Sequence, residues 1–248
     1  DCNDRMGDHV VSNRYLGGFV TDTPTQPTVS SAPGVWTLSQ ASQAVGNGIW
    51  PAAGSTITNS LRFRSSASAY LNRTPGVAGN RQTWTWSGWV KRGLTATTRY
   101  LMCATDNTTA STFFGYGSYS TAPSDSLFFY TDAGALLLYT SAVFRDPSAW
   151  YHVVIAVDTT QATSTNRVKM YVNGVQQTLT GSYPTLNQNL QINSTSYLHT
   201  LGSYYTSSGF FDGYLADINF IDGQALAPTY FGPVSYTHLR AHETSLHL

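Results

Sequence analysis

The chain has 248 residues, and its 13 basic and 13 acidic side chains give a formal net charge of zero at pH 7. A neutral chain lacks the basic field that attracts nucleic acid, and no apolar run approaches the ~20 residues of a membrane span. Aromatic residues make up 13% of the chain, which argues against wholesale disorder. These features predict a folded domain with no nucleic-acid partner and no membrane insertion.

Two segments precede the main domain. Residues 1–34 are polar and end in a run rich in Pro, Thr and Ser, which is typical of a linker or of the end of a preceding module. In residues 35–55, Ser39 is placed to cap a short helix. We expect Trp36 and Trp50 to anchor this helical segment onto the domain that follows.

From residue 56 to about 230 the pattern becomes that of a β domain. Short segments rich in Val, Thr, Tyr, Phe and Trp alternate with Gly, Asn, Asp, Ser and Pro, as strands alternate with turns. The predicted strands are Ser60–Arg64, Ala69–Leu71, Thr83–Lys91, Tyr100–Thr105, Thr112–Tyr116, Ser126–Thr131, Leu136–Val143, Tyr151–Asp158, Arg167–Val172, Val175–Thr178, Tyr197–Ser203 and Phe211–Ile221.

One hairpin is predicted with particular precision. Residues 167–172 alternate between polar and apolar side chains, which places Val168 and Met170 on the inner face of a strand. Asn173 and Gly174 then supply the two positive-φ positions of a type I′ turn. The return strand follows directly.

The last fifteen residues, 234–248, differ from the domain. Residues 234–244 read VSYTHLRAHET and resemble one reading frame of an adaptor used for sequencing libraries, which implies a non-native tail on a metagenomic or library fragment. The tail contains the only glutamate, Glu243, and three of the six histidines. His238 and His242 have a spacing suited to zinc on a helix, but their order differs from that of the zincin motif.

Many short strands and almost no helix predict an all-β fold of two packed antiparallel sheets. Residues 84–91 (WTWSGWVK) resemble an early core strand of laminin-G-like and concanavalin A-like jelly rolls. Residues 150–158 and 168–174 resemble their central hairpin, and residues 211–220 resemble their closing strand. The resemblance covers residues 56–227. It implies a jelly-roll sandwich of a family that commonly binds glycans or proteins and sometimes Ca²⁺.

A second resemblance concerns the origin of the chain. Residues 33–36 (PGVW) and 219–226 (NFIDGQAL) resemble segments of proteins from marine tailed phages. This implies an extracellular virion or tail-fibre component. Its partners would be a host-surface receptor and neighbouring virion subunits.

The residues that could serve as catalytic groups are expected to be structural. Glycoside hydrolysis generally needs two carboxyl groups, and the body of the chain contains no glutamate. The nearest spacing is Asp212 with Asp217, and Asp217 is expected to accept hydrogen bonds at a strand bulge or to meet an arginine. We expect the His152 ring to bond to backbone and His199 to have no role. No G-x-S-x-G elbow or P-loop occurs. We expect Cys103, Trp84, Trp86 and Trp89 to be buried.

A Ca²⁺ site would need several oxygen atoms that converge at a loop rim. Asp125 and the pair Asp106-Asn107 are predicted to lie in loops, as is Asp132. Asp106 and Asp132 are the candidate Ca²⁺ ligands. The alternative is that each carboxylate only satisfies its own turn.

Two loops combine tyrosines with hydroxyl residues, residues 115–120 and 203–210. Aromatic faces stack on sugar rings, hydroxyl groups bond to sugar hydroxyls, and function tends to lie on loops held by a rigid scaffold. The alternative is that these rings pack in the core or at its rim. The candidate ligand-binding residues are Tyr116, Tyr119, Tyr204 and Tyr205.

The sequence thus predicts a non-enzymatic, lectin-like module that binds a host-surface glycan or another receptor. Two alternatives stay open. One is a purely structural decoration domain that packs against virion subunits, and the other is a glycan hydrolase or depolymerase.

Overall fold

The computed structural model describes residues 59–108, 110–132 and 136–231, all within the second of the two units into which the chain divides, Gly54–Leu248. The predicted linker (1–34), helical segment (35–55) and tail (234–248) lie outside these residues. The strands in the described part of the chain are β1 (Leu61–Phe63), β2 (Leu71–Arg73), β3 (Thr83–Arg92), β4 (Arg99–Thr105), β5 (Ser111–Tyr116), β6 (Ser126–Thr131), β7 (Leu136–Val143), β8 (Trp150–Asp158), β9 (Val168–Val172), β10 (Val175–Gln176), β11 (Leu179–Gly181), β12 (Leu198–Leu201) and β13 (Gly213–Asp222).

The strands form two antiparallel sheets. One sheet has six strands in the order β1-β13-β3-β8-β9-β10, and the other has seven in the order β11-β7-β6-β5-β4-β12-β2. In the same residues the helical segments are short 3-10 turns, and none has the length or the hydropathy to cross a bilayer. The predicted all-β, two-sheet antiparallel fold is confirmed.

The core lies between the inner faces of the two sheets. Trp84 and Trp86 on β3 are buried and meet Phe114 on β5 of the opposite sheet, with ring centroids 6.5 and 5.3 Å apart. Each large apolar side chain buried in this way contributes roughly 1.5–3 kcal/mol. Trp89 is also buried, and it contacts the ring of His152 at 5.0 Å. The expectation that these tryptophans are buried is confirmed.

The predicted hairpin joins β9 to β10. The apolar residues Val168, Met170 and Val172 are buried along β9, while the residues between them are half-buried. Asn173 and Gly174 have φ values of 50° and 78°, as the type I′ turn requires. The structure confirms this prediction.

The return strand is shorter than expected. The sequence predicted Val175–Thr178, but β10 ends at Gln176. The chain then crosses to the other sheet, where β11 pairs with β7 at the sheet edge. The sequence prediction missed β11 because only Leu179 of its three residues is partly buried, so no alternating pattern marks it.

Candidate functional site

The seven-stranded sheet has a second apolar side, which faces away from the core. Successive side chains of a strand point to opposite faces. Phe114 and Phe129 therefore join the core, whereas Phe113 on β5 and Phe128 on β6 belong to a separate apolar cluster on the outer side. Tyrosines from the sheet and its loops cover this cluster. We call the surface the tyrosine face, and it consists of Phe113, Phe128, Tyr100, Tyr119, Tyr130 and Tyr204.

The tyrosine face has two layers. Phe113 and Phe128 are buried and form the lower layer. Tyr130 stacks on Phe113 with centroids 4.8 Å apart and planes 23° apart, and Tyr119 stacks on Phe128 at 5.3 Å and 19°. Both tyrosines are half-buried. The outer layer is therefore made of partly exposed phenol rings that rigid phenyl rings support from below.

The loop after β12 completes the face. The ring of Tyr204 meets Phe113 edge-on at 5.4 Å and lies 5.3 Å from the ring of Tyr100. Gly209 allows this packing, because a Cβ at its position would lie 2.2 Å from a Tyr100 ring carbon and its φ is 60°. Its carbonyl also accepts a hydrogen bond from the Tyr100 backbone N–H at 3.3 Å.

The sheet order explains why two loops so far apart in sequence meet. β5 and β12 are both neighbours of β4 and antiparallel to it. Gly115 near the end of β5 pairs with Tyr100, and Leu201 at the end of β12 pairs with Met102. Both strands therefore end at the same end of the sheet, and the two predicted loops leave it side by side.

The four predicted ligand-binding tyrosines lie in different environments. The structure brings Tyr119 and Tyr204 together on one face. It corrects the prediction for Tyr116, which is 0% exposed in the core, with the Arg92 guanidinium 4.8 Å from its ring centroid. β5 is buried on both sides, so its sequence did not reveal that Tyr116 shares the inner face with Phe114.

Tyr205 is held through its backbone. Its φ is 51°, and its carbonyl accepts a hydrogen bond from the Ser203 hydroxyl at 2.5 Å. Its backbone also bonds to the thiol of Cys103. Tyr205 therefore shapes the loop that carries Tyr204. The prediction that its ring contacts a ligand stays a prediction.

Sequence reasoning missed Tyr100, Phe113, Phe128 and Tyr130. The run Phe128-Phe129-Tyr130 could have identified two of them, because Phe128 and Tyr130 are alternate residues on one side of the strand and both are aromatic. That signal alone does not tell the outer side from the core, because β6 is buried on both sides.

The phenols of Tyr100, Tyr119 and Tyr130 are neutral hydrogen-bonding groups at pH 7. Burial raises the pKa of Tyr119 and of Tyr100, and the neighbouring Tyr119 raises that of Tyr100 further. Burial and a hydrogen bond with Asp132 raise the pKa of Tyr130. Asp132 also accepts a hydrogen bond from the Ser111 hydroxyl. The face thus carries neutral O–H groups with one carboxylate at its border.

The candidate Ca²⁺ ligands take part in local hydrogen bonds. Oδ1 of Asp106 accepts the backbone N–H groups of Thr108 and Ala110 at 2.9 and 3.1 Å. The described residues contain no cluster of three or more His, Cys, Asp or Glu side chains arranged for a metal ion. Asp125 does not lie at a rim but is buried against Arg92. Ca²⁺ binding at Asp106 and Asp132 stays a prediction.

The carboxylates with the nearest glycosidase-like spacing have structural partners. Asp212 accepts hydrogen bonds from Ser65 N at 3.0 Å and Arg62 Nη2 at 3.3 Å. Asp217 lies at the register shift of β13 and accepts a hydrogen bond from Asn219 Nδ2 at 3.3 Å. The prediction that Asp217 accepts a hydrogen bond at a bulge is confirmed.

The two described histidines are also tied into the fold. The ring of His152 bonds to the buried hydroxyl of Ser87 at 3.0 Å and not to backbone, which corrects the predicted partner. His199 lies on β12, where its Nε2 accepts the backbone N–H of Asn193 at 2.9 Å. The Ser87–His152 pair resembles a nucleophilic dyad, but both groups are buried.

Comparison with known families agrees with the architecture. Residues 64–229 match the Laminin_G_3 family, described as the concanavalin A-like lectin/glucanases superfamily. This match spans more than half of the chain. The protein belongs to this superfamily. No curated protein matches the chain.

Similar solved structures come from several kinds of protein. A heptameric SAP-like pentraxin from Limulus polyphemus has 18% identity over 64% of this chain and 71% of its own, with a TM-score of 0.43. The IT-sialidase CBM40 of Ruminococcus gnavus has 12% identity over 74% and 96%, with a TM-score of 0.47. A tailspike protein from an Escherichia coli O157:H7 bacteriophage has 10% identity over 76% and 25%, with a TM-score of 0.43. At these identities the similarity concerns the fold.

Proposed function

We propose that this protein is a non-enzymatic binding module that recognises a glycan through its tyrosine face. The observation that carries the proposal is the pair of stacks, Tyr119 on Phe128 and Tyr130 on Phe113. In each pair the phenyl ring supports the phenol from below and leaves it half-exposed at the surface. Rings held in this way offer a pre-organised platform for the flat apolar face of a sugar ring.

The surroundings of the platform suit a polyhydroxylated ligand. Ser118 and Ser120 flank Tyr119, and Ser207 and Ser208 follow Tyr204; all four serines are exposed. Hydroxyl groups both donate and accept hydrogen bonds, as do the hydroxyls of a sugar. The neutral phenols add further donors. The combination of an apolar platform with a few polar groups is typical of ligand sites.

A binding role accounts for the polar groups better than a catalytic one. The carboxylates of Asp212 and Asp217 take part in structural hydrogen bonds, and the Ser87–His152 pair is buried. A glycosidase generally needs a carboxyl pair across the scissile bond. On the tyrosine face, the carboxylate of Asp132 is engaged by Ser111 and Tyr130.

We further propose that the module is displayed outside the cell on a phage virion, where the glycan belongs to a host surface. This part rests on the resemblance of residues 219–226 to marine tailed-phage proteins. The second candidate function is a structural one, in which the tyrosine face packs against a neighbouring virion subunit. Tyrosine is enriched at protein interfaces, and this observation favours that candidate.

A glycan array with matched variants tests the proposal. Aromatic anchors of an interface often contribute 2 kcal/mol or more, so Tyr119→Ala and Tyr204→Ala should each weaken binding at least about tenfold. Tyr119→Phe should retain most of the binding if stacking dominates. Tyr230→Ala is the matched control, because Tyr230 is 72% exposed and lies outside the face.

The outcomes separate the two candidates. Binding that Tyr119→Ala and Tyr204→Ala abolish and Tyr230→Ala leaves intact supports glycan recognition by this face. Glycan binding that survives both changes contradicts it. No glycan binding, combined with self-association that Tyr119→Ala disrupts, supports the structural candidate.

A further inference from the structure

A cleft lies at the opening between the two sheets, away from the tyrosine face. Its volume is about 410 Å³, and it is lined by β2, β4 and β12 of one sheet and by β3 and β13 of the other. Ligand pockets usually measure about 300–1,000 Å³, so the cleft can hold a small molecule. We call it the edge cleft, and its lining includes Trp86, Met102, Phe220, Arg73, His199 and Asp222.

The lining of the edge cleft is largely apolar. Trp86 is almost fully buried, and the half-buried Met102 and Phe220 pack against the same core. Leu71 and Val77 extend the apolar surface outward and are 52% and 84% exposed. An exposed apolar rim that leads into an apolar cleft indicates a site for an apolar group.

One buried polar group in the lining lacks a partner. The indole N–H of Trp86 has no hydrogen-bond acceptor among the residues that the structure describes. A buried donor without an acceptor is costly and rare in native structures. The indole N–H of Trp84, which does not line the cleft, is unpartnered in the same way, so this donor alone does not mark a ligand site.

The lining of the cleft contains one basic side chain, Arg73, and one carboxylate, Asp222. The exposed guanidinium of Arg73 makes no hydrogen bond or ion pair with another described residue. Oδ1 of Asp222, by contrast, already accepts hydrogen bonds from Asn80 N and Asn193 Nδ2, both at 2.8 Å. Both ring nitrogens of His199 are likewise engaged, by Asn193 N–H and by the Tyr197 carbonyl. Arg73 therefore lacks a partner among the described residues, and an anionic group would supply one.

We propose that the edge cleft binds an amphiphile with an apolar body and a carboxylate head. The body packs against Trp86, Met102 and Phe220, and the carboxylate pairs with Arg73, whose planar guanidinium matches carboxylate geometry. Alkyl and aryl carboxylates share this chemistry. The site is independent of the tyrosine face, so either site can exist without the other.

Calorimetric titration of the full chain tests the inference. The probes are octanoate, phenylpropionate and the uncharged alcohol octanol, each below its aggregation limit. Octanoate or phenylpropionate should bind at one saturable site, and octanol should bind at least about tenfold more weakly. The carboxylate with the higher affinity identifies the body as alkyl or aryl.

Two variants and two controls complete the test. Arg73→Gln should weaken carboxylate binding about tenfold and leave octanol binding unchanged, because it removes only the charge. Trp86→Phe should weaken carboxylate binding by a smaller factor. Arg64→Gln is the matched control, since Arg64 is exposed and lies outside the cleft. Tyr119→Ala should also have no effect.

Three results would overturn the inference. The first is the absence of saturable binding for both carboxylates. The second is equal affinity for octanoate and octanol. The third is carboxylate binding that Arg73→Gln does not weaken relative to Arg64→Gln. Because Arg73 is exposed, its substitution is expected to leave the fold intact, and thermal melting checks this.

Discussion

Arg92 and Asp125 form an ion pair inside the sandwich, with Nη2 of the arginine 2.8 Å from Oδ1 of the aspartate. The side chains are 1% and 4% exposed. The guanidinium also donates to the carbonyl of Phe144, and the carboxylate accepts the backbone N–H of Ala96 at 2.7 Å. Burial alone would raise the pKa of Asp125, but the Ala96 N–H and the Arg92 guanidinium hold that pKa below its usual value. The pair ties the end of β3 to the loop before β6.

Removal of one partner of this pair should strongly destabilise the fold. Asp125→Ala leaves a buried guanidinium without its counter-charge, a change that typically costs about 3–5 kcal/mol. Arg145→Ala is the matched control, because Arg145 meets the same carboxylate at 3.4 Å but is 65% exposed, and exposed pairs contribute about 0–1 kcal/mol. Denaturant unfolding measures both variants. Equal losses in free energy of unfolding would contradict the account.

Stability should fall as the pH drops below 6.5. Burial lowers the pKa of His152 and of His199 from 6.5. In the unfolded chain each ring binds a proton near pH 6.5, whereas in the folded protein it does so only at lower pH. The unfolded state therefore binds more protons in this window, and the free energy of unfolding decreases as pH falls through it.

Urea unfolding between about pH 5 and pH 7 measures how the free energy of unfolding changes with pH. This window lies above the pH range in which the titration of carboxylates dominates that change. His152→Gln keeps a hydrogen-bonding group for Ser87 and removes one titrating ring, so the slope should become shallower. An unchanged slope in this variant would show that His152 is not desolvated in the folded state.

Alkaline pH should destabilise the fold through the phenols of the tyrosine face. Tyr100, Tyr119 and Tyr130 have pKa values raised above 10.0, chiefly by burial. Above pH 10 the unfolded chain loses these protons before the folded protein does, so the free energy of unfolding decreases as pH rises. A tyrosinate absorbance titration should therefore show late-ionising phenols. Tyr130→Phe should remove one of them, and a native titration that is complete near pH 10 would contradict the prediction.

Cys103 should be inert in the folded protein. It is buried at the back of the tyrosine face, and burial raises the pKa of its thiol to about 12. The reactive species is the thiolate, which is scarce at such a pKa. In a Cys2→Ser background, a thiol reagent should label Cys103 only after denaturation. Rapid labelling of the native protein would show that the loop with Tyr204 and Tyr205 opens readily.

The predictable part of the fold came from local patterns. The bounds of β6 and β7 match the predicted strands, and the Asn173-Gly174 turn was specified by two residues. Such features depend on alternation and turn chemistry within a few residues. The bounds of these two strands and the fold class were therefore accessible without a structure, whereas those of β10 and β11 were not.

Only part of the candidate site could be predicted from the sequence. Tyr119 and Tyr204 were identified singly as loop residues, but their convergence depends on the order β5-β4-β12, which local patterns do not encode. Tyr116 was misplaced because β5 is buried on both sides and its inner face cannot be told from its outer one. The Arg92–Asp125 pair was missed for a related reason, since a charge gives no sequence signal that it will be buried with a partner 33 positions away.

Backbone amide NMR tests glycan recognition by the tyrosine face most directly. A glycan that binds on the array is titrated into the labelled protein, and the shifted resonances are mapped onto the sequence. The account predicts saturable shifts concentrated in residues 111–131 and 203–209, with loss of those shifts in Tyr119→Ala. Saturable shifts concentrated elsewhere, or shifts that persist unchanged in that variant, would contradict it.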